Sequence, residues 1–386
     1  MIHFLNKSVL ERYRGKTCIL RVDLNISFKD ESGLFRLESI IPTIKLLIKH
    51  NIKVVLISHK GHPSIRKRLS AILMPQEKKF SLKSFAPLIS YRIKKDVDFV
   101  SIGDIKNLIY SVTKSNKKVI LLENIRFFEG EEKNDLEFAK VLSGLGDFYV
   151  NDAFAVSHRK NASVSAITKY IPSYAGPLMK NEIEHLDEGI KKQKYLFIII
   201  IGGAKISDKL GVVKRFLNKA DKILLGGGPA NTFFKAQKLP IGKSLIDIKA
   251  SLDIKKYIKS DKIILPRDVI FSKEKILDIG EMTQMEYIKI ISSAKMIIWN
   301  GPMGLFEKRK FARGTEAIWE AILKNKKAKI IIGGGETVAS AKLIPNFKSK
   351  ISKRKNIFIS TGGGAMLDYL AGEKLPGIEA LKRSRK

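Results

Sequence analysis

The sequence has little cysteine and no long apolar run. Its one cysteine, Cys18, cannot form an intramolecular disulfide, and we expect it to be a buried core thiol. The longest uninterrupted apolar run covers residues 195–201, whereas a membrane-spanning helix needs ~20 apolar residues. The first residues contain no apolar segment typical of a secretory signal. These absences argue against a disulfide scaffold and a membrane protein, so we expect a soluble intracellular protein.

Acidic residues are also scarce. The chain has 38 Asp and Glu against 72 Lys and Arg, a formal net charge of +34, which usually suggests a nucleic-acid partner. The basic residues are nevertheless spread through nearly every segment, with short runs only at 66–68, 353–355 and 382–386. They do not alternate repeatedly with aromatic residues. We interpret the charge as a lysine-rich solvated surface, and we expect no membrane partner and no specific nucleic-acid partner.

Short apolar runs recur along the chain, whose 386 residues predict two domains. Each run is followed by a glycine-rich or polar turn and then by helical periodicity, as is typical of βαβ units. Most runs are continuous, which indicates parallel strands covered on both faces. The predicted strands are 18–22, 54–58, 99–102, 119–122 and 148–150 in the first half and 195–201, 222–225, 262–265, 296–299, 329–332 and 356–359 in the second. The predicted fold class is α/β: two doubly wound, Rossmann-like parallel-sheet domains joined by an interdomain helix and hinge.

A break separates the two sets of strands. The prolines and glycine of IPSYAGP, residues 171–177, are expected to interrupt regular structure. Residues 178–191 then place Ile183, Leu186 and Ile190 at helical spacing. We therefore assign residues 1–172 to an N-terminal domain, 173–191 to a hinge and helix, and 192–373 to a C-terminal domain.

The strand ends of the first half are rich in arginine and histidine. Ligands of open α/β sheets bind beyond the carboxyl ends of the strands. Arg36, Arg126 and Arg159 can bind phosphate or carboxylate oxygens in fork geometry, and Asp23 and Asn25 can bind hydroxyls. Any one of these residues is also compatible with a surface ion pair or a cap. Four strand ends with the same chemistry predict a pocket for a small polyanion.

The strand ends of the second half are rich in glycine. They read GGAK at 202–205, GGGP at 226–229, NGPMG at 300–304, GGGET at 333–337 and GGG at 362–364. Glycine lets the backbone approach a nucleotide, and the following helix offers its positive end to phosphates. One such turn can be purely geometric, but five predict a nucleotide-binding domain. The absence of G-x-x-x-x-G-K-[ST] and of a clean G-x-G-x-x-G argues against a Walker-type NTPase and a standard dinucleotide fold.

Four charged residues complete the nucleotide half. If residues 206–214 are helical, Lys205 and Lys209 lie on one face and reach phosphates together. Glu307 is placed for ribose hydroxyls and Glu336 for a divalent metal, although Glu336 can also act as a helix N-terminal charge. A polyanion half joined to a nucleotide half suggests phosphoryl transfer between two substrates that domain closure brings together.

These residues carry a resemblance to a known family: the chain closely resembles phosphoglycerate kinase over essentially its whole length. The segments that carry it are RVDLN at 21–25, HR at 158–159, GGAKISDK at 202–209, WNGPMGLFE at 299–307, GGGET at 333–337 and STGGGA at 360–365. The resemblance implies reversible transfer of the acyl phosphate of 1,3-bisphosphoglycerate to ADP, giving 3-phosphoglycerate and ATP. It also implies Mg²⁺ as cofactor, ATP and ADP as substrates, cytoplasmic glycolysis and a monomer.

The resemblance also implies roles for individual residues. It assigns Arg36, Lys205 and Lys209 to catalysis, with Lys205 on the moving phosphoryl group and Lys209 on nucleotide phosphate. The substrate site comprises Asp23, Asn25, Arg36, His59, His62, Arg126 and Arg159. The nucleotide site comprises Gly203, Lys205, Lys209, Gly227, Gly228, Asn300, Glu307, Gly333, Gly334, Gly335, Glu336 and Thr337, with Glu336 as metal ligand. The last residues, 374–386, are expected to pack on the N-terminal domain.

Some positions depart from the family pattern. His62 stands where the family has arginine, and a histidine is largely neutral at pH 7, so substrate affinity becomes lower or pH-dependent unless Arg66 substitutes. Glu336 stands where aspartate is usual, which lengthens the reach of the carboxylate. Pro229 and Glu281 replace a usual methionine and proline near the nucleotide site.

Two other hypotheses remain at the level of sequence. The chain could be a catalytically impaired family member that binds nucleic acid or another anionic partner through its positive charge. It could also be a nicotinamide-dependent oxidoreductase, which the missing dinucleotide fingerprint disfavours.

Overall fold

The computed structural model describes residues 1–26, 31–63, 78–101, 105–191, 196–248, 250 and 254–384. The chain divides into two compact units. Unit 1 is Met1–Ile183 together with Lys374–Lys386, and unit 2 is Glu184–Glu373. Arg66, which could have substituted for His62, lies outside the described residues.

Unit 1 is built on a parallel sheet. Its strands are β1 (Thr17–Arg21), β2 (Lys53–Ile57), β3 (Val97–Val100), β4 (Val119–Leu122), β5 (Phe148–Asn151) and β6 (Ser173–Ala175). Their order in the sheet is β3-β4-β2-β1-β5-β6, and every pairing is parallel. Every residue of β4 is buried, and so is every residue of β1 and β2 except the first, as expected for continuous apolar strands covered on both faces.

Helices cover both faces of this sheet. They are α1 (Lys7–Arg12), α2 (Glu31–Lys49), α3 (Phe85–Ile93), α4 (Ile105–Lys114), α5 (Glu129–Glu132), α6 (Leu136–Ser143) and α7 (Pro177–Ile190), the last of which contains the boundary between the units. Two apolar clusters form the core. One contains Leu20, Leu56 and Ile44, and the other contains Ile19 and Ile57, so neighbouring residues of one strand face opposite layers.

Unit 2 repeats the plan with a second sheet. Its strands are β7 (Phe197–Ile201), β8 (Lys222–Leu225), β9 (Ile263–Ile264), β10 (Val269–Ser272), β11 (Lys275–Ile279), β12 (Met296–Asn300), β13 (Lys329–Gly333) and β14 (Ile357–Ile359). The parallel sheet has the order β14-β13-β12-β7-β8-β9, and β10 and β11 form a separate antiparallel hairpin. Strand order changes direction at β7 and β12, which makes their carboxyl ends the topological switch point.

The helices of unit 2 are α8 (Leu210–Phe216), α9 (Gly227–Ala236), α10 (Glu281–Ser293), α11 (Arg313–Lys324), α12 (Gly335–Ala339), α13 (Phe347–Ser352) and α14 (Gly364–Ala371). Trp299 and Trp319 are fully buried and pack edge to face at 4.7 Å between ring centroids. They join β12 to α11 in the core. Among the described residues, no helix is both long and apolar enough to cross a membrane.

The C-terminal helix α15 (Pro376–Arg383) belongs to unit 1. Ile378 and Leu381 are buried. The backbone N–H of Gly377 donates to the Ser157 carbonyl at 2.9 Å, and the Ser384 hydroxyl donates to the Ser173 carbonyl at 3.2 Å. The end of the chain is therefore fastened to the elements around β5 and β6.

The predicted α/β class with two parallel sheets is confirmed, two local predictions are corrected, and one element was missed. Residues 173–175 form β6 rather than a break, because a three-residue strand can pair at the sheet edge between Pro172 and Gly176. The hairpin β10–β11 was not predicted, because its partly exposed residues lack a continuous apolar run. Residues 206–214 are not one helix: a 3₁₀ turn, Ser207–Lys209, precedes α8.

Candidate active site

Unit 1 carries polar side chains in the loops that follow β1, β2 and β4. Asp23 and Asn25 follow β1, His59 follows β2 and Arg126 follows β4. These three strands are neighbours in the sheet, and strand order changes direction beside them, between β1 and β5. The fold therefore brings four of the predicted substrate residues to the edge where open sheets bind ligands.

The loops after β1 and β2 are tied together by predicted binding residues. Arg36, on α2, donates from Nη1 to Asp23 Oδ2 at 3.3 Å. The Asn25 backbone N–H donates to Asp23 Oδ1 at 3.1 Å, and Asn25 Oδ1 accepts from the Gly61 N–H at 2.8 Å. These contacts hold a carboxylate, an amide and a guanidinium group in one cluster.

His59 is buried and electrically neutral. Burial lowers its pKa well below 6.5, and the charges of Arg21, Arg126 and Arg159 lower it further. Its Nδ1 lies 3.1 Å from Arg21 Nη2, which is a donor, so Nδ1 accepts and the ring proton is on Nε2. In the described part of the chain His59 Nε2 has no hydrogen-bond partner. A buried donor without a partner fits a site whose acceptor is a ligand oxygen.

Arg126 and His62 converge on one glutamate. Glu132 Oε1 lies 3.1 Å from His62 Nδ1 and 3.3 Å from Arg126 Nε. Arg126 Nη1 donates to the Gly61 carbonyl at 2.7 Å. The Arg126 side chain is buried, whereas that of His62 is 69% exposed. A carboxylate of the chain itself thus contacts two of the groups predicted to bind an anion.

Arg159 lies in the same field of positive charge. Burial lowers the pKa of Arg126 to about 10, and the charge of Arg159 is the second cause. Arg159 Nε donates to His158 Nε2 at 3.4 Å. Positive groups that depress one another's pKa are relieved by an anion bound among them.

Arg21 is a residue of this cluster that sequence reasoning quoted only as part of a motif. It is buried, it contacts His59, and its Nε donates to Ser163 Oγ at 3.0 Å. Ser163 in turn donates from N and Oγ to the buried Glu131, at 2.9 and 2.7 Å. Arg21 therefore fixes the tautomer of His59. The sequence signal for this role was the position of Arg21 at the end of an apolar strand. A charged residue is rarely buried there without a partner, so its position indicated a buried contact.

In unit 2 a cavity of about 300 Å³ opens at the switch point of the sheet. Its wall combines glycine turns with a largely apolar interior, a lining suited to a nucleotide base. It is lined by Gly203, Ala204, Gly227, Gly228, Ala230, Asn231, Phe234, Lys243, Leu245, Pro266, Val269, Lys275, Ile276, Leu277, Asp278, Ile279, Pro302, Met303, Gly304, Leu305, Phe306, Glu307 and Glu336. Five of the predicted nucleotide residues are in this set: Gly203, Gly227, Gly228, Glu307 and Glu336.

The glycine turns pack backbone against backbone. Gly203 has a φ of 81°, which favours glycine, and its N–H donates to the Pro302 carbonyl at 2.7 Å. The Gly228 N–H donates to the Gly203 carbonyl at 2.8 Å, and a Cβ on Gly228 would overlap the Ala204 carbonyl oxygen. The turns after β7, β8 and β12 are therefore one rigid cradle.

The two predicted lysines are placed differently from each other. Lys205 precedes the 3₁₀ turn and is exposed, so the expected shared helical face does not form. Lys209 is buried, and its Nζ donates to the Lys205 carbonyl at 3.1 Å. Burial lowers the pKa of Lys209, and the charges of Glu336 and Asp208 oppose the shift. Lys209 is a fixed charge beside Glu336, whereas Lys205 keeps the freedom of a surface side chain.

The residues around β12 and β13 fall into two groups. Asn300 is buried, and within the described residues its Nδ2 has no hydrogen-bond partner, as expected of a ligand-binding amide. Thr337 instead accepts from the Gly301 N–H at 2.7 Å and fastens the loop that follows β12. A Cβ on Gly333 would overlap the sulfur of Met366, so this glycine is required for packing.

The next two predicted glycines differ from it. Gly334 has a φ of 94°, and Gly335 is exposed at the start of α12.

The remaining departures from the family pattern fit their elements. Pro229 is the third residue of α9, in the first turn, where no helical N–H is needed. Glu281 is the first residue of α10, where a negative charge suits the helix dipole. Within the described ranges, no group of three or more His, Cys, Asp and Glu side chains could hold a metal by itself.

Comparisons with known proteins agree with this geometry. The family model described as phosphoglycerate kinase matches residues 9–373. The chain is 38% identical to the phosphoglycerate kinase of Dictyoglomus turgidum, over 96% of this chain and 97% of that one. It is 39% identical to the cytosolic phosphoglycerate kinase 3 of Arabidopsis thaliana, over 95% and 96%. The phosphoglycerate kinase structure from Coxiella burnetii superimposes with a TM-score of 0.78 at 31% identity, covering 99% of this chain and 100% of that one. The chain belongs to the phosphoglycerate kinase family.

Proposed function

We propose that the chain catalyses the reversible transfer of the acyl phosphate of 1,3-bisphosphoglycerate to ADP, giving 3-phosphoglycerate and ATP, in glycolysis. One observation carries the proposal: each parallel sheet has, at its own topological switch point, the groups that one of the two substrates needs. The sheet of unit 1 presents arginines and histidines, and the sheet of unit 2 presents the glycine cradle.

The substrate roles follow from the unit 1 cluster. Arg126, Arg159 and His62 are proposed to bind the phosphate of 3-phosphoglycerate. The charge of Arg159 lowers the pKa of Arg126, and an anion bound beside the two arginines relieves that repulsion. Asp23 and Asn25 bind the hydroxyl, and His59 donates from Nε2 to a substrate oxygen. Arg36 contacts the reacting carboxyl group.

The nucleotide roles follow from the unit 2 cavity. The base and ribose lie against the glycine cradle, with Glu307 and Asn300 accepting and donating hydrogen bonds. Lys209 binds nucleotide phosphate. Glu336 fits a magnesium ion, because an exposed carboxylate that lines a nucleotide cavity is what Mg²⁺ takes beside phosphate oxygens and water. When bound, the ion neutralises charge on the phosphates.

The transfer itself needs no strong base. The bond from the acyl oxygen to phosphorus breaks, the carboxylate leaves with the electron pair, and an oxygen of the ADP β-phosphate forms the new bond. No proton is transferred between the ionised oxygens. Catalysis then consists of positioning and charge stabilisation. Lys205, whose side chain is exposed, is the proposed cation that stabilises the phosphoryl group during transfer. We expect the protein to act as a cytoplasmic monomer.

A coupled assay tests the proposal. With ATP and 3-phosphoglycerate as substrates, formation of the acyl phosphate is followed by its reduction and the loss of NADH absorbance. Turnover should require both substrates and a divalent cation, with kcat between about 1 and 1,000 s⁻¹. Absence of turnover from folded protein that binds both substrates would overturn the proposal.

A further inference from the structure

Asp278, in the centre of unit 2, has not been used so far. It lies on β11, is buried, and borders the nucleotide cavity. Its Oδ2 accepts from the Gly314 N–H at 2.8 Å, at the N-terminus of α11, and its Oδ1 accepts from the Ile279 N–H at 2.9 Å. One carboxylate thus joins the hairpin to a twelve-residue helix.

The loop formed by residues 301–307, here called the nucleotide loop, passes directly over this carboxylate. A Cβ on Gly304 or on Gly314 would overlap Asp278 Oδ1, so both glycines leave room for it. Beside it the Leu305 N–H donates to the Leu277 carbonyl at 2.8 Å. The position of Asp278 therefore determines how closely the nucleotide loop approaches the hairpin.

The nucleotide loop is itself the turn of the glycine cradle that follows β12, and it contacts the turn that follows β8. The Gly227 N–H donates to the Met303 carbonyl at 3.0 Å, and the Met303 N–H donates to Thr315 Oγ1 at 3.0 Å. The loop ends at Glu307, the proposed ribose residue. A shift of the loop would move both the cradle contact and the ribose contact.

We propose that Asp278 is a positioning residue for the nucleotide: its carboxylate fixes the start of helix α11 to hairpin β10–β11, and the nucleotide loop packs on this joint through Gly304 and bonds Thr315 of the helix. The inference rests on the proposed function of unit 2 as the nucleotide site. Asp278 does not contact the phosphates; it acts through the loop. Protonation removes one acceptor and adds a donor in a space that presents the N–H groups of Gly314 and Ile279. The start of α11 then loses one of its fastenings, and with it the Thr315 hydroxyl that accepts from the Met303 N–H of the loop.

The surroundings of Asp278 place its titration near neutral pH. Burial raises its pKa to about 7, and the hydrogen bonds from Gly314 and Ile279 oppose that shift. The charged residues on the elements packed around it are Lys275 on β11, Lys235 on α9, Glu281 on α10, Arg313 and Glu316 on α11, and Glu307 and Lys308 at the end of the loop. Within the described residues none of them forms an ion pair with Asp278, and Glu316 pairs with Arg309 at 3.0 Å.

Asp268 provides a matched control. It is also a carboxylate that accepts backbone N–H groups at a helix start, from Met282 at 3.1 Å and Thr283 at 2.8 Å of α10. It does not line the cavity, and its pKa is lowered rather than raised. Asp268→Asn therefore makes the same chemical change at a helix N-terminus, at a residue that does not line the nucleotide cavity.

The test is the dissociation constant of ADP, measured by calorimetry without metal from pH 5.5 to 8.5 for the wild type, Asp278→Asn and Asp268→Asn. At pH 8.5 we expect Asp278→Asn to bind ADP on the order of tenfold more weakly, as for one lost buried hydrogen bond. The ratio of its constant to that of the wild type should fall towards one as pH drops through about 7. Asp268→Asn should follow the wild type throughout.

Equal constants for Asp278→Asn and the wild type at pH 8.5, or a ratio that does not change with pH, would overturn the inference. If Asp278 had a purely structural role, Asp278→Asn would lower the melting temperature, and the ratio of the two ADP dissociation constants would not change with pH. Ionisation of ADP itself cancels in the ratio. If Asp278→Asn does not fold, the wild type and Asp268→Asn still test the inference. The ADP affinity of both proteins must then fall between pH 8 and pH 6 by more than the ionisation of free ADP accounts for, and a smaller fall would overturn the inference. Because the readout is ADP binding, absence of kinase turnover would contradict the proposed function without deciding this inference.

Discussion

At the scale of single residues, the substrate cluster departs from the family pattern at one exposed position. His62 is mostly exposed, faces Glu132 and stands where the family has arginine. An imidazole ring lacks the planar fork of donors with which a guanidinium group binds an anion, so it contributes less to anion binding. We therefore expect the cluster of unit 1 to bind its anion mainly through Arg126 and Arg159.

Replacing His62 with arginine should strengthen substrate binding. A charge-assisted hydrogen bond contributes about 1.5–3 kcal/mol, so we expect the KM for 3-phosphoglycerate at pH 8 to fall by roughly tenfold for His62→Arg, with kcat within twofold.

His50→Arg is the control for that experiment. His50 also faces a glutamate, with 3.9 Å between its Nε2 and Glu11 Oε1, but it lies at the end of α2 away from the strand-end loops. His50→Arg should leave the KM for 3-phosphoglycerate unchanged. An unaltered KM in His62→Arg would show that this position does not contact the anion.

Residues with recognisable motif positions could be predicted from the sequence, and buried positioning residues could not. Asp23, Asn25 and Arg126 stand in strand-end turns, and the structure brings them together as expected. Arg21 and Asp278 act through partners far away in the chain, Ser163 and Gly314. Such contacts depend on tertiary packing, which no local pattern encodes.

At the scale of elements, continuous apolar runs predicted every described parallel strand except the three-residue β6. Phe197–Ile201 and Val119–Leu122 are buried at every position, so their sequence signal is unambiguous. The hairpin β10–β11 and the 3₁₀ turn Ser207–Lys209 are short and partly exposed, and their conformation depends on the surrounding contacts. Sequence therefore predicts the sheets better than the connections that shape the nucleotide site.

The C-terminal helix gives a prediction at this scale. Leu381 is fully buried in unit 1, and removing its side chain leaves a cavity. We expect Leu381→Ala to lower the free energy of unfolding of unit 1 by about 2–5 kcal/mol. Lys382→Ala, on the same helix with an exposed side chain, should cost less than ~0.5 kcal/mol.

The position of the tryptophans makes this measurable. Both tryptophans of the chain, Trp299 and Trp319, are in unit 2. In denaturant titrations the far-ultraviolet circular dichroism reports both units, whereas tryptophan fluorescence reports unit 2. Leu381→Ala should shift the former to lower denaturant and the latter much less. Coincident, unshifted curves would mean that the tail adds nothing to the stability of unit 1.

At the scale of the whole molecule, the net charge of +34 requires an interpretation. Lysines dispersed over the surface attract any polyanion through counterion release, an effect that falls steeply with salt. We expect a random-sequence 20-mer DNA to bind at 20 mM salt and to lose at least a hundredfold in affinity by 200 mM, as read by fluorescence anisotropy. Low-nanomolar binding that persists at 200 mM salt would instead indicate a nucleic-acid partner.

The fold class and the family could be predicted because the sequence features that indicate them are spread over the whole chain. The two sheets, the glycine turns and the basic strand ends each occur several times along the chain, so no single misread segment altered the conclusion. The roles of individual site residues remain predictions, because the residues that touch a substrate depend on where that substrate lies.

The most direct test of the account concerns Lys205, the proposed cation on the moving phosphoryl group. In the coupled assay, Lys205→Ala should lower kcat by roughly two to three orders of magnitude while the KM values for ATP and 3-phosphoglycerate stay within a few-fold. Lys214→Ala, which removes an exposed lysine of α8, should match the wild type. A kcat for Lys205→Ala equal to that of Lys214→Ala would contradict the account.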